Sequence, residues 1–424
     1  TFNNNFGNGN PATFGLTDLP GGGYASQSFE VLPGKYAVSE DSVAGWQSPE
    51  SATCDGGETI GDIDVGPGET VTCTFTNEKL ATIALVKNTI GGNGTFDFTM
   101  TGQGLPASTQ ITTSANTGNQ TFNNLDPDNI YTIVETVPAG WDLTSAVCTG
   151  TNSPSDITPN AGEVITCTFT NTQRGSISGM KFNDLNGDWL KDVDESGIED
   201  WEIELKDDQG QILASATTDE NGNYSFSNLI PATYSVCEIS QGGWIRTYPG
   251  ADCYDVIVVN PGDAVADRDF GNFKNIEVTV CKYIDVNGDG DISNDSLYVG
   301  EGGWGVSLNE NNQSTIEGCS TFTDIGPGNY DVTEEIKEGW TQTYPEGESY
   351  NFDAVSGQNE SLDFGNFKYG EITACKYDDL NGDGQLGEEP GIESVTMNLY
   401  RFEWVDYEDD GGGYYDWVWQ NFQE

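Results

Sequence analysis

Residues 122–141 read FNNLDPDNIYTIVETVPAGW, and this phrase recurs three times. Its counterparts are FEVLPGKYAVSEDSVAGW from Phe29, FSNLIPATYSVCEISQGGW from Phe226 and FTDIGPGNYDVTEEIKEGW from Phe322. The shared skeleton is an aromatic, a Leu or Ile, a proline-bearing turn, Tyr-x-Val/Ile-x-Glu, then Gly-Trp. Alternation around the Tyr and the Val or Ile predicts a half-buried strand entered from a turn. Trp46, Trp141, Trp244 and Trp340 recur at one position and read as core plugs rather than ligand-stacking platforms. Each unit closes on a second phrase, CTFTN at Cys73 and Cys167 or DFGNF at Asp269 and Asp363.

The repeat runs over about 94 to 103 residues, the size of an immunoglobulin-type sandwich. The expected fold is all-β, a tandem array of sandwich domains at 1–79, 80–173, 174–274, 275–368 and 369–424. The joints, such as NEKLA and NTQRG, are too short for free linkers, so the array reads as a semi-rigid rod. Thr1 and Thr95 each lie 53 residues before a cysteine, which aligns Phe2 with Phe96. The first unit then lacks the strand that ATIALVKNTI supplies to the second, and the last stops before its Tyr-x-Val-x-Glu strand. These ends are expected to be completed by a longer chain or by neighbouring molecules.

Composition agrees with this picture. Sixty-nine acidic residues against 15 basic ones, with no histidine, give a formal charge of −54. Nucleic acid and anionic membrane need a basic face and are excluded as partners. Cations, which relieve self-repulsion, are favoured. Strand- and turn-forming residues dominate over helix formers. No stretch approaches the roughly 20 apolar residues of a membrane span. Without an initiator Met or signal sequence, the chain reads as a mature or internal segment.

Three acidic loops follow first strands at one repeat position. Asp285, Asn287 and Asp289 occupy positions 1, 3 and 5 of an EF-hand-like spacing, which lets alternate side-chain oxygens converge on one hard cation. Asp291 stands at position 7, where a main-chain carbonyl serves. The fifth unit repeats this with Asp379, Asn381, Asp383 and Gln385. The third has Asp184, Asn186, Asp188 and Leu190, then Asp192 and Glu195 at positions 9 and 12. Glu301 in unit four, and Glu388 or Glu389 in unit five, are the candidates to close the shell. Calcium suits such oxygen-rich flexible loops better than magnesium. Isolated Asx turns would explain one loop, but not three in register.

Nine cysteines without histidine argue for an oxidising compartment and against zinc. Cys54/Cys73 and Cys148/Cys167 share a 19-residue spacing at one repeat position, which marks intradomain disulfides. Cys237 and Cys253 are the pair available in unit three, and Cys281 and Cys319 in unit four. Cys375 matches Cys281, so its partner is expected outside these residues. With no histidine to activate a thiol, and no carboxylate pair outside the repeat patterns, no enzyme is expected.

The motifs GMKFNDLNGD, TDENGNYSFSNL and DFGNF of units three to five resemble the B-type repeats of bacterial serine-aspartate surface proteins. Units one and two, with LVKN, YTIVET and TFTN, are similar to the prealbumin-like B-type domains of collagen adhesins. The resemblance spans nearly the whole chain and implies an extracellular stalk or fibre on a microbial surface. It also gives meaning to a third register. Lys87, Lys181, Lys282 and Lys376 are separated by 94, 101 and 94 residues, as are Asn77, Asn171, Asn272 and Asn366. Glu40, Glu135, Glu238 and Glu334 lie between them. In collagen-adhesin B-type domains such trios form spontaneous Lys–Asn isopeptide bonds, with a desolvated amine as nucleophile and a protonated Glu polarising the Asn carbonyl. The implied bonds are Lys87–Asn171, Lys181–Asn272 and Lys282–Asn366, promoted by Glu135, Glu238 and Glu334. A buried Lys–Glu ion pair is the plainer alternative, but it leaves the registered Asn unexplained.

Two functions compete. One is a calcium-stiffened, covalently stapled stalk or fibre, whose copies could join head to tail. The other is an adhesin binding through a specialised unit such as residues 399–424. There Tyr400, Phe402 and Trp404 alternate, answered by Tyr415, Trp417 and Trp419.

Overall fold

A computed structural model of the chain describes all residues except 18–23, 128, 386, 389, 394, 398–399, 407–412 and 420–424. For residues 48–50, 400–406 and 413–419 it describes the backbone alone. Strands and turns account for the architecture. No α-helix occurs among the described residues, only 3-10 turns at Asp55–Gly57 and Ile292–Asn294.

The chain divides into two compact units. The first comprises Thr1–Thr279, Thr321–Asp331 and Asn351–Leu362; the second comprises Val280–Ser320, Val332–Tyr350 and Asp363–Glu424. Within the first, the second repeat shows the design most fully. Ser108–Thr112, Thr95–Thr101 and Thr132–Thr136 form one sheet. Thr117–Leu125, Ala81–Ile90, Val164–Gln173 and Trp141–Cys148 form the other. Ala81–Ile90 and Val164–Gln173, the first and last strands, run parallel, with Lys87 opposite Phe169 and Thr89 opposite Asn171. Burial alternates strictly along Ala81–Ile90, so Ile83, Leu85 and Lys87 face one core with Phe96, Phe98, Ile133 and Phe169. The third repeat has the same plan. Gly175–Asn183 pairs in parallel with Phe270–Lys274, and Glu202–Asp207 pairs with Ala232–Glu238 in the facing sheet.

In the first repeat Phe2–Asn4 pairs with Val38–Glu40 and Thr13–Phe14, as Thr95–Thr101 pairs with Thr132–Thr136 and Ser108–Thr112. Phe2 stands opposite Glu40, whereas Phe98 stands opposite Glu135. Ladder register therefore aligns Phe2 with Phe98, two residues from the alignment that cysteine spacing implies. A difference in loop length between strand and cysteine accounts for the slip. In the second unit Val306 lies opposite Glu334, Trp340 opposite Lys368 and Gln342 opposite Asn366.

The recurring phrase has a local cause. The Tyr36, Tyr131, Tyr234 and Tyr330 hydroxyls each donate back to a carbonyl of their own entry turn, at Leu32, Asp126, Ile230 and Gly326. Gly45, Gly140, Gly243 and Gly339 adopt φ of 84°, 82°, 80° and 78°, a left-handed conformation that favours glycine. Their carbonyls accept from the Leu80, Arg174, Asn275 and Tyr369 amides where one repeat passes into the next. The Gly-Trp signature thus belongs to the joints. The four recurring tryptophans are half-buried, not fully enclosed plugs. Trp201 and Trp304 are the enclosed ones, and Trp244 and Trp340 pack edge-on against them at 5.5 and 5.3 Å.

Joint contacts extend further. Gly162, Gly262 and Gly357 amides donate to the Lys79, Gln173 and Lys274 carbonyls. Arg174 makes a two-pronged pair with Asp142 at 2.9 and 2.6 Å and reaches the Asn228 carbonyl at 3.2 Å.

The fifth unit differs from expectation. Residues 371–380, in the repeat position of a first strand, form no strand, and 371–376 are exposed. Tyr400–Asp406 and Gly413–Trp419 pair antiparallel, Phe402 opposite Trp417. The aromatic side chains of that hairpin lie outside the described residues, as does Glu389.

Candidate crosslinking and cation-binding sites

Three buried trios dominate the chemistry. In the second repeat Lys87, Glu135 and Asn171 occupy inward positions of three different strands, because each follows the alternation that buries its neighbours. Lys87 Nζ donates to Asn171 Oδ1 at 2.8 Å and lies 3.7 Å from Glu135 Oε2. Asn171 Nδ2 donates to Glu135 Oε1 at 2.5 Å. In the third repeat Lys181 Nζ donates to Asn272 Oδ1 and lies 2.9 Å from Glu238 Oε2. In the fourth Lys282 Nζ donates to Asn366 Oδ1 and lies 2.7 Å from Glu334 Oε2.

Burial depresses all three amines to about 8, with the facing carboxylate only partly opposing it. The same desolvation raises the Glu135 and Glu334 carboxyls. An aromatic ring roofs each amine: Phe96 at 4.2 Å, Trp201 at 4.4 Å and Trp304 at 4.6 Å. Sequence reading passed over these roofs. Their usable signal is an aromatic at the head of the strand that pairs with the Glu-bearing one. Glu135 contacts the amide nitrogen of Asn171, not its carbonyl, so its place is beside the leaving group. The first repeat holds Glu40 and Asn77 in the same relation, Nδ2 donating to Oε1 at 2.7 Å.

The acidic loops form nested Asx turns. Asp184 is fully buried and accepts from the Gly187 and Trp189 amides at 2.7 and 3.2 Å. Glu195, also buried, accepts from the Leu185 and Asp192 amides at 2.8 and 2.9 Å. Burial pushes the Glu195 carboxyl up, and the neighbouring Asp184 charge adds to that shift. Asn186 links Asp188 and Asp192 at 3.1 and 3.5 Å. Leu190 donates its amide to Asp188.

In the fourth repeat Asp285 is buried and accepts from Gly288 and Gly290 at 2.6 and 2.9 Å, while Asn287 donates to Asp289 and Asp291 caps Ser293. Glu301 is exposed in a turn. The acid beside this loop is Asp295, which sequence reading missed: one of its oxygens accepts from Val286 and the other is buried without a hydrogen-bond partner. In the fifth unit Asp379, Asn381 and Asp383 repeat the turn, with Gln385 donating to Asp383. Asp379 and Glu388 there are exposed. Among the described residues no three acidic side chains stand in a metal-holding cluster.

The disulfides are Cys54–Cys73, Cys148–Cys167, Cys237–Cys253 and Cys281–Cys319, leaving Cys375 free and exposed.

Comparison with known proteins agrees with the all-β repeat fold. Prealbumin-like fold domain models match residues 7–75 and 83–173, and an SdrD B-like domain model matches residues 175–255. Serine-aspartate repeat-containing protein D of Staphylococcus aureus (strain Newman) is 28% identical over 255 residues, covering 53% of this chain and 19% of that protein. Serine-aspartate repeat-containing protein F of Staphylococcus epidermidis is 31% identical over 138 residues, covering 30% of this chain and 8% of that protein. The matches thus span less than a fifth of the length of these curated relatives. The solved Bacillus anthracis TIE protein shares 17% identity at a TM-score of 0.32, covering 79% of this chain and 71% of its own. No helix among the described residues is long and apolar enough to cross a membrane. The similarities locate the chain at the cell surface, among repeat domains of a structural or adhesive kind. Residues 7–75 and 83–173 are prealbumin-like and residues 175–255 SdrD B-like, so the chain carries tandem B-type repeats like those of staphylococcal surface proteins.

Proposed function

We propose that the chain is a load-bearing surface stalk whose repeats are stapled by Lys87–Asn171, Lys181–Asn272 and Lys282–Asn366 isopeptide bonds. The carrying observation is that all three lysines are buried against an Asn amide and a Glu carboxyl on first, last and middle strands. The amine, whose proton is loosened by burial, attacks Asn Cγ in its neutral form. The Nζ proton passes through the Glu carboxyl to the departing Nδ2, the C–N bond breaks, and one ammonia leaves for each amide formed. Each bond ties the first strand to the last, so pulling on the ends loads a covalent link instead of the β-ladder.

Calcium is the second element of the reading. Asp184 with Glu195, and Asp285 with the unpartnered oxygen of Asp295, are buried carboxylates that a hard cation would neutralise. Asn186, Asp188 and Asp192, or Asn287 and Asp289, would complete each shell by turning outward from their mutual hydrogen bonds. The bound ion would supply charge neutralisation and hold the loop closed. The third-repeat loop is also tied to the fourth repeat, since the Ser356 amide donates to the Leu185 carbonyl and its hydroxyl to Asn183. Ion binding there would stiffen a joint as well as a domain. Intact mass of the reduced chain tests the stapling: three ammonia losses are expected, and full sequence mass would refute it.

A further inference from the structure

We propose that Arg246 sets the pace of the third staple by holding Glu238 as a carboxylate, so that Lys181–Asn272 closes after Lys87–Asn171 and Lys282–Asn366. This rests on the reading that the buried trios react. Two residues beyond each recurring tryptophan, one side chain stands directly opposite the reactive Asn: Leu143 opposite Asn171, Arg246 opposite Asn272 and Gln342 opposite Asn366. The register is shared and the residue is not. Arg246 alone of the three is charged. Its Nη1 lies 3.6 Å from Glu238 Oε1, while Glu238 Oε2 faces Lys181 at 2.9 Å. Glu238 is therefore a buried carboxyl between two cations. Among the described residues Glu135 and Glu334 each form an ion pair with their own lysine and no other group.

Arg246 also faces the oxygen that matters for proton delivery. Glu135 Oε1 accepts from Asn171 Nδ2 at 2.5 Å, whereas Glu238 Oε1 has no hydrogen-bond partner and is turned to Arg246. The guanidinium is held in place. Arg246 pairs through Nη2 with Asp252 and keeps 20% of its side chain exposed. The Cys237–Cys253 disulfide joins the residues next to Glu238 and Asp252. The Asp252 side chain is itself 83% exposed, so water screens it and leaves the Arg246 charge largely uncancelled.

The direction of the effect follows from the proton transfers. Lys181 gives one Nζ proton to Glu238 and becomes a neutral amine. It attacks, Nζ–Cγ forms and Cγ–Nδ2 breaks. Glu238 hands its proton to Nδ2 and takes the second from Nζ, so ammonia leaves the new amide beside a protonated Glu238. From the first transfer onward the carboxyl is neutral, and its attraction to a guanidinium that never loses its charge is gone. Arg246 thus favours the starting charges over the reacting state. Its repulsion of the Lys181 ammonium works the other way, but burial is the main cause of the depressed amine and the Arg246 charge adds least to it. An adjacent opposite charge favours the ionised carboxyl by about ten- to a thousandfold. With the repulsion set against it, the third staple is expected to close about tenfold more slowly than the other two.

The test synthesises the full chain in an oxidising cell-free system, so that every trio starts unreacted, and follows the branched peptides over time by mass spectrometry. Lys181–Asn272 should accumulate about tenfold more slowly than Lys87–Asn171 and Lys282–Asn366. Arg246→Gln, which copies the residue of the fourth repeat, should remove the lag, and Arg246→Lys, which keeps the charge, should preserve it. Gln342→Arg should slow Lys282–Asn366 by a similar factor and leave the third repeat as it was. A gain in rate separates charge from mere support, since lost support slows a reaction. Equal rates in the parent chain, a third staple no faster in Arg246→Gln, or a fourth no slower in Gln342→Arg overturns this inference, and closure of the second staple then leaves the stapling intact. No branched peptide at any trio overturns both.

Discussion

Glu135→Gln isolates the proton carrier of the second repeat. At pH 7 an amine at about 8 is neutral about one time in ten, against about one in 3,000 for an ordinary lysine, so burial raises the reactive fraction about 300-fold. Gln preserves side-chain volume and still offers an oxygen to Asn171 Nδ2, now 2.5 Å from Glu135. It also removes the charge that holds the Lys87 proton, so the neutral amine fraction does not fall. What it cannot do is take a proton from Nζ and deliver it to the leaving nitrogen. General acid–base transfer contributes about 10² to 10⁴ in rate, and the variant should lose that factor. The assay carries its own control. Intact mass should show three ammonia losses in the parent chain and two in the variant. Peptide mapping should find Lys181–Asn272 and Lys282–Asn366 branched but Lys87 and Asn171 linear. Three losses in the variant would refute Glu135 as promoter, and a parent at full mass would reduce the trios to buried ion pairs.

The crosslinking rate after rapid refolding should rise close to tenfold per pH unit below about 8, where the Lys87, Lys181 and Lys282 amines lose their protons, and should stop rising above it; a flat profile would count against the amine as nucleophile. Calcium in a hundredfold excess over its dissociation constant should stabilise the third and fourth repeats by about 2.7 kcal/mol. Chelator should therefore lower their melting temperature, and Asp285→Asn should remove the effect from the fourth; identical melting in chelator contradicts the cation reading. In a Lys87→Arg background, where no staple closes, replacing Cys148 and Cys167 by Ser should cost the second repeat about 3 kcal/mol for its 19-residue loop, read from the urea midpoint. An unmoved midpoint would show that the disulfide adds nothing to that sheet.

Much of this molecule is local and periodic, and that part is legible from residue order. A strand buries every second side chain, so Lys87 in line with Ile83 and Leu85 is committed to the core before any partner is known. Repetition then aligned the lysines, glutamates, asparagines and cysteines across units, since equal spacing within equal folds puts them at equal places. Tertiary structure alone decided what depends on distant strands meeting. Phe96, Trp201 and Trp304 roof the amines although they lie 9, 20 and 22 residues beyond their lysines, an irregular spacing with no period to read. The recurring tryptophans belong beside joints whose bonding runs through glycine carbonyls, which carry no side-chain signal. Asp295 stands by the acidic loop of the fourth repeat where Glu301 was expected, because loop path, not spacing, determines which acid arrives. That Glu135 and Glu40 meet the amide nitrogens of Asn171 and Asn77 is visible only in the folded repeats, since hydrogen bonding is a property of assembled strands.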